Sequence, residues 1–394
     1  MRITVQQRRV RLARRHLLAA EARAPDPVDV ARAMVALHGT DPTTVYLSAW
    51  ARMHDGDATA LERALYEDRT LLRLLCMRRT VFVLPTEVAP IARAACSLAV
   101  AARERRQLLS WLSAAGIVDA KDAERWLAGV EEAALRALAA RGEATAAELS
   151  ADDPRLRAEI VLARGKAYEG KVRVGSRVLL LLAAEGRVVR GRPLGSWTST
   201  QFRWSPAERW WPGGLPDLPV TDAEAELARR WLATFGPATV DDLRWWTGWA
   251  VTPTRRALAR IGAVEVDLDG RPGLVLPDDL EPEPEPEPWV ALLPALDPTP
   301  MGWTHREFYL GGHGTALFDR TGNVSPTVWC DGRIVGGWAQ RRSGEIAYRL
   351  LDDVGSERVA AIERAAAELT ERLGPVRLSP RARTASPVER ELLG

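Results

Sequence analysis

The spacing of apolar and polar positions divides the chain into helical stretches and β-type runs. Apolar positions recur at helical spacing over residues 5–22, 27–37, 42–53 and 57–75. A β-rich run from Met77 to Pro85 follows, and residues 86–128 again have a wholly helical pattern. Helices followed by a strand pair are the outline of a winged helix. The pattern therefore predicts a first winged-helix region over residues 1–128.

The same order of elements recurs twice. Residues 129–220 predict a second unit, with a first helix at Val130–Ala140, a short helix at Ala144–Leu149 and a wing near Glu185–Gly191. Residues 221–280 give the clearest third unit.

The third unit carries specific start and turn signals. A helix over Asp222–Phe235 is followed by one capped by Thr239 and by one that starts at Thr252-Pro253. A period-two pattern around Asp269-Gly270 then predicts a hairpin.

A repeated Glu-Pro segment, residues 281–288, predicts a stiff linker and a domain boundary. Beyond it, residues 289–394 form a predicted β-rich domain that ends in a closing helix over Val354–Leu373 and a frayed tail. Its predicted strands lie at 289–293, 308–310, 315–318, 327–330, 334–338 and 346–350. The expected fold class is α+β: three tandem winged-helix units forming a concave DNA-binding surface, plus a small C-terminal β-barrel or sheet.

Composition narrows the class of protein. The chain has 394 residues, of which 46% are hydrophobic and 27% charged, as in ordinary soluble globular proteins. No apolar run approaches the roughly 20 residues that span a bilayer, and the N-terminus lacks the apolar core of a signal peptide. Cys76, Cys96 and Cys330 match no metal spacing and are expected to be buried free thiols. We expect a cytoplasmic, nucleoid-associated monomer without metal, cofactor or membrane contact.

The positive charge is almost entirely arginine, since lysine occurs only at positions 121, 166 and 171. A GC-rich genome explains this bias equally well, but arginine also suits phosphate and guanine recognition. Residues 1–20 contain six arginines and no acidic residue, although the net charge is only +2. One basic face is therefore expected. The candidate DNA-binding residues are Arg8, Arg9, Arg11, Arg15, Arg78, Arg79, Arg255 and Arg256.

The candidate chemistry lies in the run His38-Gly39-Thr40-Asp41-Pro42. Asp before Pro is a typical helix start, because the carboxylate caps backbone N–H groups and proline suits the first helical position. The run also sets an imidazole, a hydroxyl and a carboxylate within four residues. Two interpretations remain open: a capped turn, or a catalytic group His38, Thr40 and Asp41 that also caps a helix.

The chain resembles the tandem winged-helix DNA glycosylase superfamily, which includes relatives that unhook interstrand crosslinks and confer azinomycin resistance. The resemblance rests on His38–Pro42 and Ser48–Arg52, and on four later segments in the same order: Met77–Pro85, Phe235–Trp249, Leu292–Pro298 and Gly322–Arg333. Crosslink-repair members carry Gln-x-Gln at the positions of His38 and Thr40. This chain therefore departs from the family at the catalytic slot.

The resemblance implies a metal-free, monofunctional glycosylase acting on bulky N7-alkylguanine in double-stranded DNA, in base excision repair or antibiotic self-resistance. In this interpretation His38 activates or holds the water, Thr40 positions it, and Asp41 stabilises the sugar cation. The alternative is a non-catalytic winged-helix regulator or lesion sensor, in which Asp41 is only a cap. A third option is a housekeeping enzyme for small methylpurines.

Overall fold

A computed structural model describes residues 1–162, 169–319, 321–378 and 385–393. The chain divides into two compact units. The split unit consists of residues 1–64 and 224–394, and the inserted unit of residues 65–223. The five-part division expected from the sequence motifs stays a prediction.

The first part of the split unit is helical apart from one short strand. Its elements are α1 (Val5–Arg15), α2 (Pro27–Ala33), β1 (Leu37–His38), α3 (Pro42–Trp50) and α4 (Ala58–Glu62). Each helix begins at a side chain that accepts backbone N–H groups, namely Thr4, Asp26, Asp41 and Asp57. Helix α1 ends earlier than the pattern predicts, because Leu17 has a φ of 56° that no right-handed helix accommodates.

The inserted unit combines helices with antiparallel hairpins. Its elements are β2 (Leu71–Leu75), β3 (Val81–Pro85), α5 (Ala89–Ala92), α6 (Leu98–Ala114), α7 (Ala123–Arg141), α8 (Ala146–Asp152), β4 (Glu159–Leu162), β5 (Gly170–Arg173), α9 (Val174–Ala184), β6 (Val188–Pro193) and β7 (Phe202–Pro206). The strands pair β2 with β3, β4 with β5, and β6 with β7. Its core contains Leu108 of α6, Leu127 and Leu138 of α7, and Leu179 of α9.

Strand β2 corrects the helix predicted over residues 57–75. All five of its residues are buried, and they pair with β3 from Leu71↔Pro85 to Leu75↔Val81. A strand buried on both faces is apolar throughout and lacks the alternation that identifies a strand in a sequence. The apolar run at residues 71–75 therefore fits a helix as well as a strand, and only its pairing with β3 identifies it as a strand.

The remaining elements belong to the second part of the split unit, apart from the first turn of α10, which precedes residue 224. They are α10 (Val220–Phe235), α11 (Val240–Thr247), α12 (Val251–Arg260), β8 (Val264–Asp267), β9 (Pro272–Val275), β10 (Val290–Leu293), α13 (Glu307–Leu310), α14 (Gly314–Leu317), β11 (Thr327–Cys330), β12 (Arg333–Gln340), β13 (Ile346–Leu350), α15 (Ser356–Leu373) and α16 (Pro387–Leu393).

Helices α10, α11 and α12 are followed by the hairpin β8–β9, in the order expected for a winged helix. Ala238, before α11, bridges Leu274 of β9 through hydrogen bonds of 3.1 and 2.8 Å. The predicted Thr239 cap is confirmed. The predicted Thr252-Pro253 start is wrong: α12 begins at Val251, so both residues lie in its first turn, where proline is tolerated. The number and arrangement of winged helices stay a prediction.

The C-terminal region contains an open antiparallel sheet with the strand order β10-β11-β12-β13, and the described residues include no closed barrel. Four predicted strands and the closing helix are confirmed as β10 to β13 and α15. Two predicted strands are wrong, because residues 307–310 and 314–317 form the short helices α13 and α14. Helix α16 occupies part of the tail that we expected to be frayed. None of the described helices is long and apolar enough to cross a membrane.

Candidate active site

The predicted catalytic motif lies where β1 leads into α3. His38 is the last residue of β1, and its exposed fraction is 7%. Thr40 is exposed and Asp41 half-buried. The chain therefore brings a buried imidazole, an accessible hydroxyl and a partly accessible carboxylate to one connection in the split unit.

Asp41 caps helix α3, as its position before Pro42 predicted. Its Oδ1 accepts the backbone N–H of Thr43 at 2.9 Å and the hydroxyl of Thr43 at 2.8 Å. Both bonds use the same oxygen, and among the described residues Oδ2 takes part in no hydrogen bond. Asp41 therefore caps the helix through one carboxylate oxygen, and the other oxygen is not used by the cap.

A pocket opens beside this cap. Its lining includes Asp41, Thr43, Thr44 and Leu47 at the start of α3, together with Pro294, Ala295, Pro326, Trp338, Ala339, Gln340, Leu378, Glu389 and Leu393. The Thr44 hydroxyl donates to the carbonyl of Ala295 at 2.8 Å and ties the helix to the facing segment. The pocket gives a small solvent or ligand group room next to the Asp41 carboxylate.

At the C-terminal end of α3, Ser48 of the helix and Arg52, two residues beyond it, bind one buried carboxylate. Arg52 donates from both terminal nitrogens to Asp297, at 2.8 and 2.7 Å, and Ser48 donates to the same carboxylate at 2.7 Å. The side chains of Arg52 and Asp297 are fully buried. Arg52 also donates to the Thr299 hydroxyl at 2.7 Å. This bidentate pair fixes α3 against the segment that carries Asp297.

His16 extends this buried network from the end of α1. Its Nδ1 lies 2.8 Å from the Thr299 hydroxyl, and its ring packs against Phe235 and Trp303 with centroids 4.9 and 5.5 Å away. Complete burial, together with the charge of Arg52, holds the pKa of His16 well below its ordinary value of 6.5. His16 is therefore neutral at physiological pH, and it serves packing instead of adding to a basic helix face.

Ser48, Arg52 and Asp297 were not among the residues predicted to act in the site. Ser48 and Arg52 are four residues apart at the end of an otherwise apolar helical pattern, a spacing that predicts polar side chains on one side of the chain. That spacing was the available signal. Their partner lies 245 residues from Arg52 and cannot be found by local spacing.

The α1 arginines were predicted to contact phosphate, and their placement argues against this for two of them. The side chain of Arg11 is 2% exposed and binds Asp279 at 3.0 Å. Arg15 binds Asp279 at 2.5 Å and Glu283 at 2.6 Å. Asp279 and the Glu-Pro segment that follows it therefore lie along α1 and pair with these side chains, which argues against Arg11 and Arg15 as DNA contacts.

Arg8 and Arg9 contact α13. The Arg8 guanidinium lies 3.6 Å from the centroid of the Phe308 ring, and burial lowers the pKa of Arg8 to about 10. The Arg9 Nε donates to the Phe308 carbonyl at 2.7 Å. Both side chains are thus engaged in packing.

The remaining candidate arginines lie in two places. Arg78 and Arg79 form the turn between β2 and β3 with φ values of 51° and 61°, and Arg79 binds Glu104 at 2.7 Å. On α12, Arg255 and Arg256 are exposed, and Arg256 forms an ion pair with Glu224. Of the eight arginines predicted to contact DNA, these four lie at exposed positions or in a turn.

Among the described residues, no group of three His, Cys, Asp or Glu side chains is placed to hold a metal ion. Cys76, Cys96 and Cys330 are buried and form no disulfide there.

The fold and the sequence place this chain in a class of DNA-repair enzymes. The model of the AlkZ-like DNA glycosylase family matches residues 31–372, and the chain belongs to that family. Its partner is therefore DNA, and the resemblance proposed from the motifs is confirmed. The match includes His38, Thr40, Asp41 and Asp297.

One solved structure supports the fold. Streptomyces sahachiroi DNA glycosylase AlkZ is similar over 97% of this chain and 100% of its own, with a TM-score of 0.72 at 23% identity. At this identity the likeness concerns the fold alone. No curated protein matches the chain.

Proposed function

We propose that this protein is a monofunctional glycosylase that hydrolyses the N-glycosidic bond of bulky N7-alkylguanine in double-stranded DNA. Membership of the AlkZ-like family supports base excision. The observation that carries the proposal is the half-committed Asp41 carboxylate, three residues after buried His38, within the family's matched range.

The substrate class follows from leaving-group chemistry. An alkyl group at N7 gives the purine a positive charge, so the base departs readily when the bond from N9 to C1′ breaks. The electron pair of that bond goes to N9 and neutralises the purine. Water adds to C1′, loses a proton and leaves an abasic site. The enzyme therefore needs to position water and stabilise a sugar cation, and it needs no strong acid.

The motif offers two groups for the water and one for the sugar cation. His38 holds the attacking water and takes its proton, because a neutral imidazole is an effective base near neutral pH. Thr40 positions the same water. Asp41 stabilises the oxocarbenium-like sugar with its uncommitted oxygen, as carboxylates do in glycoside hydrolysis. The positive end of the α3 dipole stabilises the charged form of the Asp41 carboxylate. The same positive end weakens the attraction between that carboxylate and the sugar cation.

The exchange of Gln-x-Gln for His38 and Thr40 suggests a particular lesion. We propose bulky, intercalated guanine adducts of the kind made by alkylating antibiotics, with a role in self-resistance. Such an adduct already distorts the base stack, so the bond can be cut without the full base flip of ordinary glycosylases.

The test uses duplex DNA with one bulky N7-guanine adduct, incubated with protein and then heated in alkali to break abasic sites. Wild type should give strand breaks at the adduct, and His38→Ala should lower the single-turnover rate by about 100-fold or more. His54→Ala is the matched control, since His54 is exposed in the same unit.

Three outcomes separate the candidate functions. Breaks at the bulky adduct support the proposal. Binding without breaks on any adduct would indicate a non-catalytic lesion sensor. Cleavage restricted to 7-methylguanine would indicate a housekeeping enzyme. A His38→Ala rate equal to that of wild type would remove His38 from the chemistry.

A further inference from the structure

The inserted unit contains a small pocket where β2 lies against β6. Two arginines face an otherwise apolar and aromatic lining, which consists of Arg73, Leu75, Val81, Leu180, Ala183, Arg190 and Trp204. The motif chemistry proposed above uses none of these residues.

Arg190 is held by aromatic rings instead of acids. Its guanidinium carbon lies 4.5 Å from the ring centroid of Phe202 and 5.9 Å from that of Trp204, its partner across the β6–β7 ladder. Burial, together with the neighbouring charge of Arg73, lowers the pKa of Arg190 to about 10. Among the described residues, Arg73 is the only charged group that acts appreciably on Arg190.

Arg73 lies on the facing strand and is 8% exposed. One of its terminal nitrogens donates to the hydroxyl of Tyr66, which belongs to a π-helical turn at Arg63–Glu67. The Tyr66 hydroxyl offers Arg73 a dipole, whereas a carboxylate would offer a negative charge. The pocket thus contains two cations, one of which is bound outside the lining by a hydroxyl.

Other arginines of the inserted unit are matched with acids. Arg105 binds Glu131 and Glu185 at 2.7 and 3.0 Å, and Arg141 binds Asp152 at 2.6 Å. The unit can therefore neutralise its arginines, and the pair Arg73 and Arg190 is an exception. Two like charges in a low-dielectric pocket cost stability unless an anion joins them.

We propose that Arg73 and Arg190 bind one backbone phosphate of DNA. Planar guanidinium groups match the geometry of phosphate oxygens, and aromatic stacking leaves their N–H edges available. The proposal deepens the DNA-repair function, because it assigns a phosphate contact that fixes the register of the enzyme on the duplex and carries no sequence preference.

The experiment measures binding of an undamaged, fluorescently labelled duplex by anisotropy at several salt concentrations. Arg190→Met keeps the length and apolar contact of the side chain but removes its charge. We expect affinity about tenfold lower and a salt slope reduced by about 0.9, the value for one released counterion. Arg136→Met is the matched control, because Arg136 is 65% exposed on α7 and paired with Glu132.

A melting experiment separates binding from folding. Because Arg190→Met removes a charge without an acidic partner, its Tm should equal or exceed that of wild type. If its Tm falls, Arg73→Met becomes the variant for the binding measurement, and it should show the same loss of affinity and slope. Arg190→Lys should recover part of the affinity.

Wild-type affinity and salt slope in both folded methionine variants would overturn the proposal. A second contradicting result would be inorganic phosphate that binds wild type but neither methionine variant, while all three proteins have the same DNA affinity, since the pocket would then serve a free anion. The glycosylase proposal can fail separately. If wild type gives no strand breaks while its DNA binding still depends on Arg190, the result contradicts the glycosylase proposal and leaves the phosphate site standing.

Discussion

Two helices of the split unit begin in the same way but differ in what surrounds their first turn. Helix α11 starts after the bridging residue Ala238, with Thr239 as cap, and Asp242 returns a bond to the cap. Asp242 is fully buried and accepts four hydrogen bonds between 2.8 and 2.9 Å, from the backbone and hydroxyl of Thr239 and from the backbone N–H groups of Thr304 and His305.

Helix α3 starts after β1 with Asp41 as cap, and its carboxylate is far less committed. Only Oδ1 is used, by two donors of the same residue, Thr43. No reciprocal bond closes the cap, because the third residue of α3, Thr44, donates instead to Ala295.

The difference distinguishes a carboxylate that builds the fold from one that can serve a ligand. Asp242 has every lone-pair direction occupied and no solvent access, so it has nothing to offer a substrate. Asp41 has a free oxygen beside a pocket. A cap is therefore compatible with chemistry when it leaves one oxygen uncommitted.

The largest expected effect concerns the saturated carboxylate. Asp242→Ala should lower the free energy of unfolding by about 3–5 kcal/mol, because four buried donors lose their acceptor. Denaturant unfolding followed by tryptophan fluorescence measures this. Excision per folded molecule should not change, and a selective loss of activity in a stable Asp242→Ala protein would contradict the comparison.

A smaller effect concerns the support of α3. His16 is neutral in the folded state because burial lowers its pKa. In the unfolded chain its pKa has the ordinary value near 6.5. Below pH 6.5 the unfolded chain therefore binds a proton that the native state does not, and stability falls by about 1.4 kcal/mol per pH unit until the native pKa is reached.

Melting temperatures at pH 7.5, 6.5 and 5.5 test this effect. His16→Gln keeps a polar partner for Thr299 and cannot titrate, so its Tm should fall less than that of wild type between pH 6.5 and 5.5. Parallel curves for the two proteins would show that His16 is not the acid-sensitive group.

Local signals in the sequence predicted what local physics decides. The Thr239 cap, the Asp269-Gly270 turn and strands β11 to β13 were all found in the sequence, because caps, tight turns and alternation act over a few residues. Strand β2 and helices α13 and α14 were assigned wrongly. A short apolar run fits either a helix or a strand until its packing is known.

The candidate site was predictable in the same partial way. The Asp41 cap followed from Asp-Pro, whereas the partner of Arg52 is decided by tertiary packing across 245 residues. Charge counting along residues 1–20 also did not reveal that Arg11 and Arg15 form ion pairs. Their acidic partners lie far along the chain, in the segment that carries Asp279 and Glu283.

The central claim is that Asp41 acts through its charge as well as through its cap. Asparagine caps helices as well as aspartate, so Asp41→Asn should change stability by less than about 0.5 kcal/mol. Asp26→Asn is the matched control, because Asp26 also precedes a proline and caps α2 through bonds of 2.7 and 3.0 Å.

The decisive measurement is the single-turnover excision rate of these two variants on duplex DNA carrying the bulky N7-guanine adduct. We predict a rate about 100-fold lower for Asp41→Asn at unchanged DNA affinity, since the electrostatic stabilisation of the sugar cation is lost. Asp26→Asn should retain the wild-type rate. Equal rates for wild type and both variants would contradict the claim and reduce Asp41 to a helix cap.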